Sequence, residues 1–266
     1  MYIIYLFVVL SASIIGAISG VGGGVMIKPI FDAISPYNTY TVGMLSCFGV
    51  LTMSLTSVAR QIANKTRIQF RTAIPLALGA IAGGLLGNFI FNYIRQSIDD
   101  SVIKITQAVI LASLLIFVTI YMNKSGTADR KPIICGSAMT VLTGLLLGMV
   151  STFIGIGGGP INIAVLCLLF ALDMKAATVN SLVLILFSQT SKLIENIVTG
   201  RIFAANLPWG LILGVCLAAS IGGLIGTKLN RKLTSKKILL VYTVTMIAII
   251  GINIYNVITN LLLLLS

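Results

Sequence analysis

The chain has little charge and no histidine. Charged residues make up 9% of its 266 residues and apolar residues 58%, with a mean hydropathy of +1.08. Such a composition excludes an ordinary soluble domain. The lack of histidine excludes histidine-based acid/base catalysis, serine triads and most metal sites. We therefore expect an integral membrane protein that is not an enzyme and needs neither a metal nor a cofactor.

Long uncharged runs divide the chain into segments that can cross a bilayer. They cover residues 1–27, 33–59, 72–94, 105–123, 132–172, 176–191, 202–227 and 238–266. A helix needs about 20 residues to cross the hydrocarbon core. Barrel strands would alternate in polarity over about 10 residues, and runs such as 109–118 do not alternate. The sequence predicts an all-α, polytopic helical bundle in the membrane.

Three loops hold nearly all of the net positive charge. They contain Arg60, Lys65, Arg67 and Arg71; Lys124, Asp129, Arg130 and Lys131; and Lys228, Arg231, Lys232, Lys236 and Lys237. Loops rich in Lys and Arg stay on the cytoplasmic side, so all three should share that side. The clusters are short, juxtamembrane and free of interleaved aromatic residues, which argues against nucleic-acid binding.

A glycine motif occurs twice, 135 residues apart. The copies are Gly20-Val-Gly-Gly-Gly24 and Gly155-Ile-Gly-Gly-Gly159. At the same offset Ser46 matches Ser181, and further on Gly83-Gly-Leu-Leu-Gly87 matches Gly222-Gly-Leu-Ile-Gly226. One copy alone is explained by close helix packing, but the conserved order of three matches predicts a duplication. Three consecutive glycines hold a helix poorly, so each motif should interrupt one.

We expect two repeats, residues 1–131 and 132–266, each with one glycine-broken hairpin and three spans. The first hairpin would cover residues 1–34 with a short limb from Val25 to Ile34. The second would cover 132–172, with a limb from Pro160 to Leu172. An odd number of crossings in each repeat predicts an inverted topology, which puts both termini outside a cell membrane.

The glycine turns are the candidate binding site. A helix that begins after such a turn presents unpaired N–H groups and the positive end of its dipole, which favours an anion. The candidate glycines are Gly22, Gly23, Gly24, Gly157, Gly158 and Gly159. Pro160 suits a helix start because it lacks an N–H.

Five side chains are candidates to complete the site. Lys28 would lie about one turn into the first limb, and Ser46, Ser181 and Asn162 are on or beside the limbs and the helices that follow, as is Asn180. Each has an alternative role. Lys28 can reach an interface or pair with Asp32, and the polar residues can hydrogen-bond neighbouring helices.

These motifs resemble the TauE/SafE family of sulfite exporters over essentially the whole chain. The matching residues are Gly20, Gly22, Gly23, Gly24 and Pro29 in the first half, and Gly155, Gly157, Gly158 and Gly159 in the second. The second half departs from the pattern, because Pro160 follows the triplet directly and Ala164 replaces the equivalent of Pro29. The resemblance implies export of sulfite or small organosulfonates.

Together these features predict a secondary transporter of small sulfur-containing anions that works by alternating access. An anion channel and a membrane subunit of a larger uptake system remain alternatives. No Gly-Lys-Ser/Thr follows either triplet, so direct coupling to ATP has no support. The expected partners are the anion, the lipid bilayer and protons that move with the substrate.

Overall fold

The computed structural model describes residues 2–66, 68–95, 100–124, 133, 136–154, 158–204 and 207–265, and every secondary-structure element in them is a helix. The helices are α1 (Tyr2–Ser19), α2 (Gly24–Ile34), α3 (Thr39–Ala63), α4 (Phe70–Arg95), α5 (Asp100–Lys124), α6 (Ser137–Ile154), α7 (Gly159–Leu168), α8 (Met174–Val198), α9 (Arg201–Ala204), α10 (Trp209–Lys232) and α11 (Ser235–Leu265). The all-α prediction is confirmed.

Seven of the described helices are long and apolar enough to cross a membrane. They are α1, α3, α4, α5, α8, α10 and α11. The apolar helices α6 and α7 are shorter. The chain is thus a multi-pass membrane bundle, and each predicted uncharged run contains a helix. The expected repeat boundary between residues 131 and 132 lies outside the described residues.

The two short limbs begin where the glycine motifs predict. Helix α2 begins at Gly24, one residue before the expected start, and ends at Ile34 as expected. Helix α7 begins at Gly159 but ends at Leu168, so the expected limb to Leu172 is too long. The chain turns there because Ala171 adopts a left-handed φ of 52° and the Leu172 amide donates to the Leu166 carbonyl.

Matching side chains start the long helices that follow the limbs. Asn38 accepts a hydrogen bond from the amide of Thr41 at the start of α3, at 2.8 Å. Asp173 accepts one from the amide of Ala176 at the start of α8, at 3.3 Å. These N-caps satisfy amides that have no partner within the helix. They are 135 residues apart, the same offset as the glycine motifs.

Helices α3 and α8 pack antiparallel. Tyr40, near the start of α3, donates to Asn196 near the end of α8, at 3.0 Å. Cys47, two turns further along α3, contacts the carbonyl of Gln189, about two turns earlier in α8. The equivalent helices of the two halves therefore run in opposite directions where they cross.

Helices α1, α3 and α10 run parallel to one another. Gly49 of α3 lies against Val215 of α10, and eight residues later Ser57 contacts Gly223. The start of α1 packs on the first part of α10, and its end lies beside Asn230 near the end of α10. Because α1 and α3 share a direction, α2 runs back between them, as a hairpin limb does.

Each half contributes its first helix to a close crossing with the other half. A Cβ on Gly83 of α4 would lie 1.9 Å from the carbonyl oxygen of Leu145 in α6. A Cβ on Gly226 of α10 would lie 2.4 Å from the carbonyl oxygen of Ile14 in α1. Small residues allow such close contact between membrane helices. Both crossings use the repeated Gly-Gly-x-x-Gly motif.

The basic ends of α3 and α10 lie on one face of the bundle, because the two helices are parallel. The described residues of these ends are Arg60, Lys65, Lys228, Arg231 and Lys232. Asn123 at the end of α5 contacts Thr243 near the start of α11, which brings the end of α5 to the same face. This agrees with the side shared by the basic loops in the sequence-based prediction.

Candidate functional site

The first glycine turn is a buried reversal at the end of α1. Gly20 and Gly22 have φ values of +75° and +77°, a region that residues with a Cβ rarely adopt. The amides of both residues point back to the carbonyl of Gly16. All five residues from Gly20 to Gly24 are buried. The turn lies where α3 and α8 cross, because Gly22 faces Ile185 and Val50.

Side chains from the second half bind the carbonyl groups at the end of α1. The pairs are Asn230 Nδ2 to the Ile18 oxygen at 2.6 Å and Ser181 Oγ to the Gly20 oxygen at 2.8 Å. Thr178 Oγ1 lies 3.2 Å from the Ser19 oxygen and shares its hydrogen with the Met174 carbonyl on its own helix, at 2.8 Å. A helix end leaves such carbonyls without partners, and in a membrane they must be satisfied within the protein. These three residues therefore hold the turn in place.

Helix α2 begins four residues after the last of these capped carbonyls. Its first backbone hydrogen bonds are those of the Met26 and Ile27 amides to the Gly23 carbonyl. Among the described residues, the amides of Gly23, Gly24 and Val25 have no recorded acceptor. They supply the partial positive charge expected at a helix start.

The second turn has a similar form but different chemistry. Gly158 has a φ of +76° and precedes α7, with Pro160 in the first turn of that helix. The side-chain oxygen of Asn162 and the hydroxyl of Ser151 both lie close to Gly158. Tyr242 of α11 donates to the Pro160 carbonyl at 3.1 Å. The candidate Gly157 lies outside the described residues, as does Gly155.

The two glycine turns touch. A Cβ on Gly159 would lie 1.5 Å from the carbonyl oxygen of Val21, so only glycine fits at this contact. Val21 and Val25 of the first half share a buried cluster with Ile161 of the second. The amino end of α7 thus lies against the first glycine turn, three residues before α2 begins, inside the bundle.

The described candidates lie at different distances from this contact. Gly22, Gly23, Gly24, Gly158 and Gly159 form the two turns. Ser181 binds the first turn directly, and Asn162 is beside the second. Ser46 is buried on α3, one turn before the residue that faces Gly22. Lys28 is half-buried on α2, one turn beyond Gly24.

Asn180 is not part of the turns. Its side-chain oxygen accepts from the amide of Gln69 at 3.0 Å, and its nitrogen donates to the carbonyl of Ala176. It anchors the connection between α3 and α4. It points there because it lies one residue before Ser181, about 100° around the helix.

Glu195 is held from another helix. Its carboxylate accepts a hydrogen bond from the side chain of Asn88 on α4. The pair joins α8 to α4 and lies at the opposite end of α8 from the residues that cap the first turn. Its contacts are those of a structural link between helices.

Sequence reasoning missed Thr178, Asn230 and Tyr242. Thr178 lies three residues before Ser181, so helical spacing puts both on one face of α8. Asn230 and Tyr242 gave no local indication, because their partners are on distant segments. For these two residues, the only indication in the sequence was that each is a polar residue within an apolar helix.

The fold and the paired turns define a polytopic membrane protein of the transporter type, with two interrupted helices meeting at its centre. The sequence profile described as "Sulfite exporter TauE/SafE" matches residues 5–254. The chain belongs to the TauE/SafE family, whose members are membrane transporters and not enzymes.

A curated relative supports this class. The chain is 28% identical over 114 residues to "Probable membrane transporter protein YunE" of Bacillus subtilis (strain 168). The aligned part is 43% of this chain and 38% of the relative, so the chain spans well under half the length of the protein that it matches. No solved structure matches the chain.

Proposed function

We propose that this chain is a secondary transporter that exports small sulfur oxyanions of the sulfite or organosulfonate type. The contact between Gly159 and Val21 carries the proposal, since it puts the start of α7 against the turn that leads into the start of α2. Two dipole ends attract an anion there without a buried charged side chain. The family's description supplies the sulfur chemistry.

The two half-sites contribute different groups to the proposed anion site. The first half offers the amides of Gly23 and Gly24, with Lys28 one turn away. The second half offers Gly158, Gly159 and the amide side chain of Asn162. Cationic and amide donors both suit the oxygen atoms of a sulfite or sulfonate group. Ser181 and Ser46 would shape this site from α8 and α3.

We further propose that residues 1–131 and 132–266 are inverted repeats that rock against each other. The antiparallel crossing of α3 and α8 supports this arrangement. So does the exchange of first helices, because α1 packs on α10 and α6 packs on α4. Movement of one half relative to the other would open the paired turns to either side in turn.

The charge distribution supports a location in the plasma membrane with the basic face in the cytoplasm. The ends of α3, α5 and α10 meet at that face, and Lys- and Arg-rich loops stay inside. Helix α1 runs toward the same face as α3, so the amino terminus would be outside. Helix α11 leaves that face, so the carboxyl terminus would also be outside.

Transport by purified protein in proteoliposomes tests the function. We expect sulfite or sulfoacetate flux that saturates with concentration and shows counterflow, in which unlabelled anion on one side drives labelled anion from the other. A channel would give flux without counterflow. Protein-free vesicles are the control, and no flux of any sulfur oxyanion would reject the proposal.

A pH gradient imposed at constant voltage tests proton coupling in the same vesicles. If protons move with the anion, flux should change with the direction of the gradient. Flux that does not respond to the gradient would indicate an anion transporter without proton coupling.

A further inference from the structure

Three polar side chains near the basic ends of α3 and α10 are fully buried with hydrogen-bonding atoms left over. They are Gln61 of α3 and Thr227 and Asn230 of α10, each with 0% exposure. Among the described residues, neither carboxamide atom of Gln61, nor the Thr227 hydroxyl, nor Oδ1 of Asn230 has a partner. Burial of such atoms without a partner is costly, above all in a membrane protein.

The three residues occupy consecutive turns of one helix contact. Ser57 Oγ lies 3.4 Å from the carbonyl oxygen of Gly223. Gln61 and Thr227 are each four residues further along these parallel helices, so they occupy the next turn of the same contact. Asn230 follows on α10 and donates to the Ile18 carbonyl. We call this the Gln61–Thr227–Asn230 seam.

The Thr227 hydroxyl differs from those of other threonines in these helices. Thr hydroxyls in apolar helices commonly donate to the carbonyl four residues earlier. Thr52, Thr56, Thr190 and Thr245 all do so, at 2.5 to 2.9 Å. The Thr227 hydroxyl does not, although it belongs to the described part of the chain, and the Gly223 carbonyl receives Ser57 instead. Its hydroxyl is therefore available to another group.

The basic face follows directly after the seam. Asn230 touches the carbonyl of Ile18, two residues before Gly20, and the next residues of α10 are the exposed Arg231 and Lys232. Thr227 lies about one turn earlier on α10 and therefore about one turn further from that face. Polar atoms thus extend inward from positive charge that would attract an anion from the cytoplasm.

We propose that the Gln61–Thr227–Asn230 seam is the hydrated route by which an oxyanion moves between the basic face and the glycine turns. The Gln61 amide and the Thr227 hydroxyl donate to the anion or to its water as the seam opens. This inference rests on the proposed function. It adds a route on the basic side. Helices α3 and α10 line this route, and α5 and α11 do not.

Cysteine accessibility tests the route without relying on transport. Gln61→Cys and Thr227→Cys are made after Cys47, Cys135, Cys167 and Cys216 have been changed to alanine. Leu224→Cys is the matched control, since Leu224 lies on α10 with 38% exposure toward the lipid. Vesicles of both orientations are treated with a negatively charged, membrane-impermeant methanethiosulfonate.

Thiols react as thiolates, which form in water and not in lipid, so Thr227→Cys and Gln61→Cys should react at least about tenfold faster than Leu224→Cys. The reaction should occur only from the basic face. Sulfoacetate should slow the labelling reaction. Sulfoacetate is used in place of sulfite because sulfite consumes the reagent. Rates equal to that of the control, or rates that sulfoacetate does not change, would overturn the proposal.

A second pair of variants covers the case in which the alanine background folds poorly. In the native chain Thr227→Val should lower anion flux per folded protein at least about tenfold, the size of one lost hydrogen bond to a charged solute, without lowering the apparent melting temperature. Thr227→Ser should keep most of the flux. A lower melting temperature with normal flux would identify a structural hydroxyl and overturn the route.

The two proposals can fail separately. Wild-type flux with an unreactive seam would reject the route alone, whereas no wild-type flux would reject the proposed function.

Discussion

At the scale of single residues, the interior of this protein is organised by hydrogen bonds to backbone carbonyls. Ser181, Thr178 and Asn230 each bind one carbonyl at the end of α1. These donors all come from the second half, so the turn in the first half is held by the other. A change in the relative position of the halves would act directly on this turn.

Lys28→Gln should reduce anion flux about 10- to 100-fold, because a hydrogen bond to a charged group contributes about 1.5 to 3 kcal/mol. The protein should remain folded, since Lys28 is only half-buried and glutamine has a similar length. Flux in proteoliposomes and elution in size-exclusion chromatography measure the two effects.

Lys236→Gln is the matched control for this change, since Lys236 is exposed on the basic face and distant in sequence from both turns. It should leave flux close to the wild-type value. Full flux in Lys28→Gln would remove Lys28 from the proposed site and leave the backbone amides to bind the anion.

At the scale of helices, the bundle depends on two crossings that side chains would block. Helix α4 meets α6 at Gly83, and α10 meets α1 at Gly226. The contact between Gly159 and Val21 is of the same kind, but it joins turns and not helices. Close backbone contact at these points gives van der Waals packing in a medium where the hydrophobic effect between helices is absent.

Gly83→Ala should destabilise the bundle by about 1 to 3 kcal/mol, the usual cost of overpacking. Its new methyl group would lie 1.9 Å from the Leu145 carbonyl oxygen, so α4 and α6 must separate. The apparent melting temperature in detergent measures this effect.

The neighbouring Gly84→Ala is the control on the same helix. Its Cβ would lie 3.4 Å from the nearest atom, the hydroxyl of Thr152, and alanine favours the helix by about 1 kcal/mol. It should leave the melting temperature unchanged or raise it. Equal losses in the two variants would show that the crossing is not what limits stability.

At the scale of the whole molecule, the directions of the helices decide which helix ends share a face. Helices α1, α3 and α10 run one way and α8 the other. The basic ends of α3 and α10 consequently share a face. In the proposed function, this face lies in the cytoplasm.

Labelling in whole cells should find both chain termini accessible from outside and the loops after α3 and α10 inaccessible. The reason is that positively charged loops resist translocation across the membrane. Single cysteines or tags at these four places, probed with an impermeant reagent before and after permeabilisation, provide the measurement. Termini on opposite sides would contradict the inverted-repeat proposal, since it requires an even number of crossings.

Much of the fold could be predicted because its determinants are local. Run length and charge located the spans, and the glycine triplets located α2 and α7 to within a residue at their starts. The predicted end of α7 was wrong because the apolar sequence around Ala171 gives no indication of the left-handed turn there. Asn180 could not be separated from the other candidates by sequence, because the rotation of α8 that directs it to Gln69 is a tertiary property.

The sequence alone determined that the chain enters a membrane, where its helices lie, and that two of them are interrupted by glycine. Hydropathy and backbone freedom are properties of short segments, so no tertiary contact is needed to infer them. Only the tertiary structure decided that the two turns touch, that Asn230 and Ser181 bind carbonyls at the end of α1, and that Gln61 and Thr227 are both fully buried. Those contacts depend on the rotation and register of helices that are far apart in the chain, and side-chain hydrogen bonds over about 3 Å are sensitive to both.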